Sequence, residues 1–203
     1  MKKIIIGFLM VGILAPIAHA DDSHGGLFVE PAITYESGET TTDYPAPFSD
    51  STGSSRGYGI GARLGFHIYE AFFIGIDGRY SQPDFSDSAY GYNAKSVATN
   101  YGPVVGFQMP NIGLRIWGSY VLGGELNPEA SNGFDVKYQN PNGYRVGAGF
   151  RIAAISLNLE YEDSKYDKAT LEQAGTFTPG TSFDNVELQN KTWITSLSFP
   201  MEF

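Results

Sequence analysis

The side chains of this 203-residue chain that could do chemistry are mainly arginines and carboxylates that recur at alternating positions. A guanidinium group pairs with a carboxylate in a planar, bidentate geometry and is only weakly hydrated, so it suits a partly dehydrated interior better than an ammonium group does. We therefore predict a buried ion-pair network made of Glu30, Arg63, Asp77, Arg79, Arg115, Arg145, Arg151, Glu160, Glu162 and Glu202.

The spacing of the chain predicts two of these pairs. Arg63 and Asp77 are equidistant from a turn at 69–71, and Arg145 and Glu162 are equidistant from a turn at 153–154. Residues equidistant from a hairpin turn lie opposite each other on neighbouring strands. Since both signs of charge are present in near balance, we expect the pairs to fill the interior. A solvated channel lining that selects ions is the alternative.

Side chains suited to catalysis or metal binding are scarce. The chain has no cysteine, and its histidines beyond the first twenty residues are His24 and His67, which are isolated from each other. Nucleophilic catalysis and zinc binding both need convergent sets of such groups. We predict no enzymatic activity, no cofactor and no metal site. Acidic residues between the alternating segments leave weak calcium binding open beside simple solvation: Asp84, Asp87, Asp163 and Asp167.

The elements that position these residues are eight segments in which apolar residues alternate with polar residues or glycine. Such period-two alternation is typical of β-strands that have one apolar face. The inward glycines among them are expected to make room for the large arginines. The predicted strands are 27–37, 57–68, 72–81, 97–109, 112–122, 143–152, 155–162 and 192–203.

The connections between these strands alternate in length. Tight turns are predicted at 69–71, 110–111 and 153–154, and long loops rich in Gly, Ser, Asn and Asp at 38–55, 82–96, 123–142 and 163–190. Short turns at one end and long extracellular loops at the other are typical of outer-membrane β-barrels. The loops carry aromatic residues, taken to be exposed, that could dock a partner or pack the loops together: Tyr44, Phe48, Phe85, Tyr90, Tyr92, Phe134, Phe177 and Phe183.

The distribution of charge decides which face is the exterior. A soluble sandwich or a lipocalin-type barrel would turn its apolar face inward. No charged residue occurs on the apolar face of any of the eight segments. An arginine or lysine facing lipid at mid-bilayer would cost roughly 2–4 kcal/mol. The sequence therefore predicts an all-β fold, a transmembrane up-and-down antiparallel β-barrel of eight strands.

The first twenty residues predict export. Lys2 and Lys3 precede a short apolar run, and Ala18 to Ala20 form an A-x-A cleavage signal. We predict a cleavable signal peptide at 1–20 and an outer-membrane barrel domain at 21–203. The net charge of −9 becomes −11 once the two lysines leave. This acidic balance argues against nucleic-acid binding.

The last predicted strand ends in a row of alternating apolar residues: Leu197, Phe199, Met201 and Phe203. This row resembles the C-terminal signal by which the barrel-assembly machinery recognises outer-membrane barrels. The chain as a whole resembles the small eight-stranded outer-membrane proteins, such as OmpX and the OmpA transmembrane domain. The resemblance is architectural and rests on signal peptide, alternation, loop asymmetry and terminal strand. OmpW-like barrels, thought to pass small apolar molecules into the membrane, are similar in length, but no motif selects them.

These features predict a protein of the cell outer membrane with a plugged polar interior. It would act structurally or by surface interaction and adhesion through its extracellular loops. A narrow channel for small solutes or apolar molecules is the alternative. The expected partners are outer-membrane lipid and lipopolysaccharide, whose phosphate could meet Arg56, together with the assembly machinery and an extracellular partner of the loops.

Overall fold

A computed structural model describes residues 25–44, 49–69, 71–88, 91–109, 111–131, 134–174, 180–183 and 186–203. Within these residues no helix is long and apolar enough to cross a membrane. The strands are β1 (Leu27–Asp43), β2 (Ser51–Ile68), β3 (Phe72–Asp87), β4 (Tyr92–Gln108), β5 (Leu114–Val121), β6 (Gly123–Pro128), β7 (Phe134–Ile152), β8 (Ile155–Ala174), β9 (Thr181–Phe183), β10 (Glu187–Ser198) and β11 (Met201–Glu202).

The strands close into an antiparallel ring of eight wall positions. β5 and β6 follow each other along one position, since both pair with β4 and with β7. β10 and β11 share another position, beside β1. β8 pairs with β7 and with β10, and this closes the ring. β9 is a short strand that pairs with residues 169–171 near the C-terminal end of β8. The predicted fold class is confirmed.

One end of the barrel, which we call the turn end, carries the tight connections and the beginning of β1. Tyr69 and Ala153 take a positive φ of 53° in two of these turns, as tight hairpins require. Pro110, in the third predicted turn, lies outside the described residues. The predicted strand limits at the turn end agree with the observed limits to within two residues for the first seven predicted strands.

The opposite end, which we call the loop end, differs from the prediction. β1 has 17 residues, β2 has 18 and β8 has 20, whereas a strand that crosses a bilayer needs only about 9–11. Most of the predicted loops 38–55, 82–96, 123–142 and 163–190 are therefore strand. They escaped prediction because Ser, Thr, Gly and Asn occupy much of both faces there, so the apolar alternation that marks a strand is missing.

The outside of the barrel toward the turn end is apolar. Large side chains such as Ile60, Ile76 and Ile152 point outward and are exposed. A row of aromatic side chains bounds this belt on the loop side: Tyr35, Tyr58, Tyr80, Tyr101, Tyr120, Tyr144, Tyr161 and Trp193. Tyr35 lies opposite Tyr58, Tyr120 opposite Tyr144, and Tyr161 opposite Trp193. We call these regions the apolar belt and the aromatic row.

Beyond the aromatic row, backbone irregularities reverse the inside–outside alternation on β6, β7 and β8. Gly123 and Leu126 are both buried, and Gly124 between them takes a φ of 140°. A Cβ at Gly124 would lie 2.0 Å from the carbonyl oxygen of Thr99, so only glycine fits. On β7, Asn140 takes a φ of 57° between the buried Tyr138 and Pro141.

These reversals place apolar residues inside and charged residues outside. Strict alternation from the turn end would bury Lys137 and Lys168 and expose Leu126 and Tyr138. Instead the interior at the loop end holds an apolar group that we call the loop-end cluster: Phe85, Leu126, Tyr138, Tyr166, Ala169, Val186 and Leu188. Lys137 lies outside, with its Nζ 3.2 Å from Glu172 Oε1. The barrel is thus apolar outside at the turn end and apolar inside at the loop end.

The reversal can be tested with single cysteines, because the chain has none of its own. In the folded protein a polar maleimide should label Glu125→Cys and Lys168→Cys quickly, and Leu126→Cys and Ala169→Cys slowly, since burial excludes the reagent. All four should react alike after unfolding in urea, which controls for intrinsic reactivity. The opposite labelling order would mean that the alternation continues unbroken.

Candidate functional site

The interior at the level of the apolar belt is filled by the predicted ion pairs. Arg63 lies opposite Asp77, with its Nε 2.8 Å from Asp77 Oδ2. Arg145 lies opposite Glu162, with its Nη2 2.6 Å from Glu162 Oε2. The turn geometry thus places both pairs as the spacing predicts.

Further contacts cross the interior and join strands that are not neighbours. Arg63 Nη2, on β2, donates to Glu160 Oε1, on β8, at 3.0 Å. Arg145 Nη1, on β7, donates to Asp77 Oδ1, on β3, at 3.1 Å. Arg79 also donates to Glu160 and lies 3.4 Å from Asp77 Oδ1. These contacts depend on the diameter and stagger of the closed ring, which spacing along one hairpin does not reveal.

Arg115 and Glu30 form the most enclosed pair. Arg115 Nη1 and Nη2, on β5, each donate to one carboxylate oxygen of Glu30, on β1, at 2.7 Å. The hydroxyl of Ser198 donates to the same carboxylate at 2.6 Å. Both side chains of the pair are almost completely buried. Arg63 Nη1, 3.9 Å from Glu30 Oε1, links this pair to the rest of the network.

The last predicted pair lies apart from the network. Arg151 donates to Glu202 and, from Nε, to the carbonyl oxygen of Ala153 at 3.1 Å. Its side chain is 23% exposed and that of Glu202 is 43% exposed. The pair therefore sits at the rim of the turn end. Of the ten residues proposed for the network, eight are connected inside the barrel and these two are not.

Aromatic side chains complete the filling toward the turn end, a role that was not predicted for them from the sequence. The guanidinium carbon of Arg63 lies 4.2 Å from the ring centre of Trp117, a cation–π distance. Phe28, Phe73, Val104 and Trp117 form a buried cluster. Phe28 and Trp117 are apolar residues at positions of the alternation that otherwise hold inward polar residues. This exception in the sequence could have predicted that they pack inside the barrel.

The inward glycines make room chiefly for other groups than arginine. A Cβ at Gly147 would lie 2.4 Å from the Trp117 ring, and one at Gly65 would lie 2.8 Å from the Phe28 ring. Of the seven inward glycines on β2, β3 and β7, only Gly61 has an arginine atom, Arg79 Cγ, among its nearest neighbours. The prediction that these glycines accommodate arginines was therefore wrong for most of them.

His67 is held in the same aromatic cluster. Its ring centre lies 4.8 Å from that of Phe28 and 6.0 Å from that of Phe73, and the side chain is buried. It stands at the turn end of β2. Its ring contacts are with apolar side chains, and Glu202, Arg115, Arg151 and Glu30 lie within electrostatic range of the imidazole. The other predicted histidine, His24, lies outside the described residues.

Glu36 is the interior carboxylate that the predicted network omitted. It accepts a hydrogen bond from Ser81 Oγ at 3.1 Å. The connected network contains four arginines and four carboxylates, so Glu36 is a carboxyl group in excess of the balanced set. The alternation of β1 places Glu36 inward, which was a sufficient signal for including it.

The packed interior leaves little free volume. A cavity of about 10 Å³ lies among the network residues Glu30, Arg63, Asp77, Arg79 and Glu160. This is about the space that one water molecule needs. Toward the loop end, the loop-end cluster packs across the interior a second time. Burial in this cluster raises the pKa of Tyr138 to about 12, which reflects how far water is excluded from it. The interior is thus closed first by ion pairs and then by apolar packing.

The predicted loop aromatics take part in this second closure where they are described. Phe85 is 2% exposed, with its ring centre 6.2 Å from that of Tyr138, and Tyr44 packs against the same cluster. Phe85 is therefore not exposed as expected, and of the two alternatives left open for the loop aromatics it takes the packing role. Phe48, Tyr90 and Phe177 lie outside the described residues, as do the side chains of Tyr92, Phe134 and Phe183.

The proposed assembly residues Leu197, Phe199, Met201 and Phe203 complete the ring beside β1. Met201 pairs with Val29, and the backbone N–H of Phe203 donates to the carbonyl oxygen of Leu27 at 2.8 Å. The backbone N–H of Phe199 donates to the carbonyl oxygen of Pro31 at 2.9 Å. Phe199 and Phe203 are exposed on the outer surface. Recognition of this segment by an assembly machinery stays a prediction.

Removal of one partner from the most enclosed pair should be strongly destabilising. Arg115→Met leaves the Glu30 carboxylate buried without its bidentate partner, and we expect the free energy of unfolding to fall by roughly 3–5 kcal/mol. The double variant Arg115→Met/Glu30→Leu should recover much of that loss, because no buried charge is left unpaired. Urea titration of the refolded protein measures both. Equal losses in the single and double variants would contradict the pairing.

Because Glu36 is in excess of the balanced set, replacing it by glutamine should affect stability differently from the same replacement at Glu160. Glu36→Gln removes a carboxylate that forms no ion pair within 4.0 Å with an arginine of the network, so the free energy of unfolding at neutral pH should stay the same or rise. Glu160→Gln, the matched control, takes a carboxylate away from Arg63 and Arg79 and should lower it by roughly 3 kcal/mol. Comparable destabilisation by both changes would show that Glu36 is also neutralised.

Comparison with known proteins supports the fold. No protein-family model and no curated protein matches the sequence. Among solved structures, the outer membrane protein OprG from Pseudomonas aeruginosa matches with a TM-score of 0.55 at 8% identity, covering 88% of this chain and 97% of that one. Ail, the attachment invasion locus protein of Yersinia pestis, matches with a TM-score of 0.42 at 14% identity, covering 85% and 98%. The ring of eight strands and the match to OprG show that the chain has the fold of the small outer-membrane β-barrels.

Proposed function

We propose that this protein is an integral outer-membrane barrel that is closed to solutes and acts through its outer and extracellular surfaces. The observation that carries the proposal is the double closure of the interior. Four arginines are paired with carboxylates at the level of the apolar belt, and the loop-end cluster packs above them. An interior filled in this way leaves no continuous path for a solute.

The outer surface supports insertion in a bilayer. The outward residues of the apolar belt in all eight wall positions include no Asp, Glu, Lys or Arg. Tyrosine and tryptophan favour the boundary between hydrocarbon and water, which is where the aromatic row would lie. With the predicted export signal at 1–20, these features favour the outer membrane, with the loop end facing the exterior of the cell.

We propose no enzymatic role for this barrel. The described histidine, His67, is packed against Phe28 and Phe73 at the turn end. In the proposed orientation it faces the periplasmic side, far from the extracellular rim where a substrate would arrive. Catalysis by imidazole requires reach to a reacting group, and the surrounding rings deny that reach.

The surface available for an extracellular partner is the wall of the protruding barrel together with its tips. By the strand limits, the segments between β1 and β2, β3 and β4, and β6 and β7 are short, and a longer segment that contains β9 lies between β8 and β10. Polar side chains cover the outer face of the protruding strands, such as Thr41, Thr52 and Lys95. A structural or adhesive role would therefore use a rigid sheet surface more than mobile loops.

Conductance of the purified protein tests the closure. In a planar lipid bilayer we expect no reproducible channel events, because the ion pairs and the loop-end cluster both obstruct the interior. A general-diffusion porin in the same bilayer serves as the positive control. Folding is monitored on gels, where the unheated barrel should migrate differently from the boiled chain. Reproducible unitary currents from heat-modifiable protein would overturn the closed-barrel proposal in favour of a narrow channel.

A further inference from the structure

We propose that Glu36 and Arg79 form a proton-dependent switch inside the barrel, in which Arg79 stays on Glu160 while Glu36 carries a proton and turns toward Glu36 when that proton leaves. Such a conformational change of the interior goes beyond the closed-barrel proposal. Three features of the interior carry it: a carboxyl group outside the balanced set of ion pairs, a guanidinium nitrogen without a partner, and a stretch of wall between them that lacks side chains.

Glu36 is an inward carboxyl group without a cation partner. It directly follows Tyr35 of the aromatic row, so it lies on the loop side of the apolar belt. Ser81 Oγ donates a hydrogen bond to it at 3.1 Å. Among the described residues it forms no ion pair within 4.0 Å, whereas each carboxylate of the network contacts an arginine within that distance. When Glu36 is ionised, only more distant charges balance it.

The charged and titratable groups that face Glu36 come from three other strands. Glu162 and Tyr166 lie on β8, Arg145 on β7 and Arg79 on β3. The direct neighbours of Glu36 on β2 and β10 carry no charge. Burial and the Glu162 carboxylate raise the pKa of Glu36 to about 7, although its hydrogen bond and the two arginines act in the opposite direction. Near neutral pH this carboxyl group therefore takes up and releases a proton.

Arg79 has one guanidinium nitrogen that makes no contact of its own. Its Nη2 donates to Glu160, and its Nε lies 3.4 Å from Asp77 Oδ1. Its Nη1 is buried and has no hydrogen-bond partner among the described residues. A buried donor without an acceptor is costly, so an ionised carboxylate nearby is a favourable partner for it. The cavity of about 10 Å³ that borders Arg79 and Gly61 leaves free volume beside this side chain.

Glycines of β2 leave the interior open between the two groups. Glu36 on β1 and Ser81 and Arg79 on β3 each lie opposite a β2 glycine, in this order Gly57, Gly59 and Gly61. Because these inward positions carry no side chain, Glu36 reaches across β2 to Ser81. Arg79 precedes Ser81 by two residues and therefore points to the same side of the sheet. No side chain of β2 thus separates the carboxyl group from the guanidinium group.

Loss of the proton changes which carboxylate is the better partner for Arg79. With Glu36 neutral, four arginines face four carboxylates, and Arg79 stays on Glu160. With Glu36 ionised, Nη1 gains a charged acceptor on the loop side, and the guanidinium group rotates toward it. The contacts of Arg79 with Glu160 and Asp77 lengthen, while Arg63 still donates to both of these carboxylates. The network therefore rearranges without leaving a carboxylate unpaired.

The pH dependence of unfolding tests the proton site in the refolded protein. Because folding raises the pKa of Glu36 from 4.5 to about 7, the folded protein holds the proton over this range and the unfolded chain does not. The unfolding equilibrium constant of the native protein, divided by that of Glu36→Gln, should therefore rise by up to about tenfold per pH unit between about pH 5 and pH 7. Glu39→Gln, on the outer face of the same strand, is the matched control and should keep the native pH dependence. A ratio that does not vary with pH would rule out the proton site.

Nuclear magnetic resonance of the folded protein with ¹⁵N-labelled arginine tests the change of partner. The guanidinium signal of Arg79, assigned through Arg79→Lys, should shift as the pH rises through about 7, and Glu36→Gln should abolish this shift. The signal of Arg115, which donates to Glu30 from two nitrogens, should stay in place and serves as the control. An Arg79 signal that does not move while Glu36 titrates, or a shift that persists in Glu36→Gln, would overturn the switch. Either result leaves the closed-barrel proposal standing, because conductance tests that proposal separately.

Discussion

Pairing of buried charges across the interior is the interaction on which the rest of this structure depends. A wall whose outside is apolar gains little from contact with hydrocarbon, and its backbone ladders join only neighbouring strands. The contacts of Arg115 with Glu30, of Arg63 with Glu160, and of Arg145 with Asp77 join β5 to β1, β2 to β8, and β7 to β3. These contacts hold non-neighbouring strands at set distances across the interior of the ring. An isolated charge there would be costly, so the network is stable only as a balanced set.

Beyond the aromatic row, where in the proposed membrane placement water replaces lipid on the outside, the chain packs its interior differently. In water, an interior of apolar side chains and an exterior of polar side chains is the more stable arrangement. The change is made by backbone geometry as well as by composition. Gly124, with its φ of 140°, and Asn140, with its φ of 57°, mark the places where β6 and β7 reverse their faces. Leu126 and Tyr138 thereby enter the loop-end cluster, and Lys137 reaches Glu125 and Glu172 on the outside.

The parts of the structure that sequence predicts are those governed by local periodicity. Alternation and turn spacing were sufficient for the eight-stranded ring, for the turn-end limits, and for the positions of Arg63 opposite Asp77 and Arg145 opposite Glu162. The loop-end strands were missed because their two faces are both polar on β1 and β2, as Thr40 and Thr41 illustrate. The inward turn of Phe85 was missed with them. Contacts across the interior depend on ring closure, which no local pattern contains.

A filled interior and short connections together restrict how this barrel can meet other molecules. Its protruding part is a closed sheet supported from within by the loop-end cluster, so its outer side chains are held in fixed rows. The rows mix charges of both signs: Arg56 on β2 lies opposite Asp84 on β3, and Lys191 on β10 lies between Glu39 on β1 and Asp163 on β8. Because the interior is filled, a partner of this barrel would have to meet its outer wall or its tips.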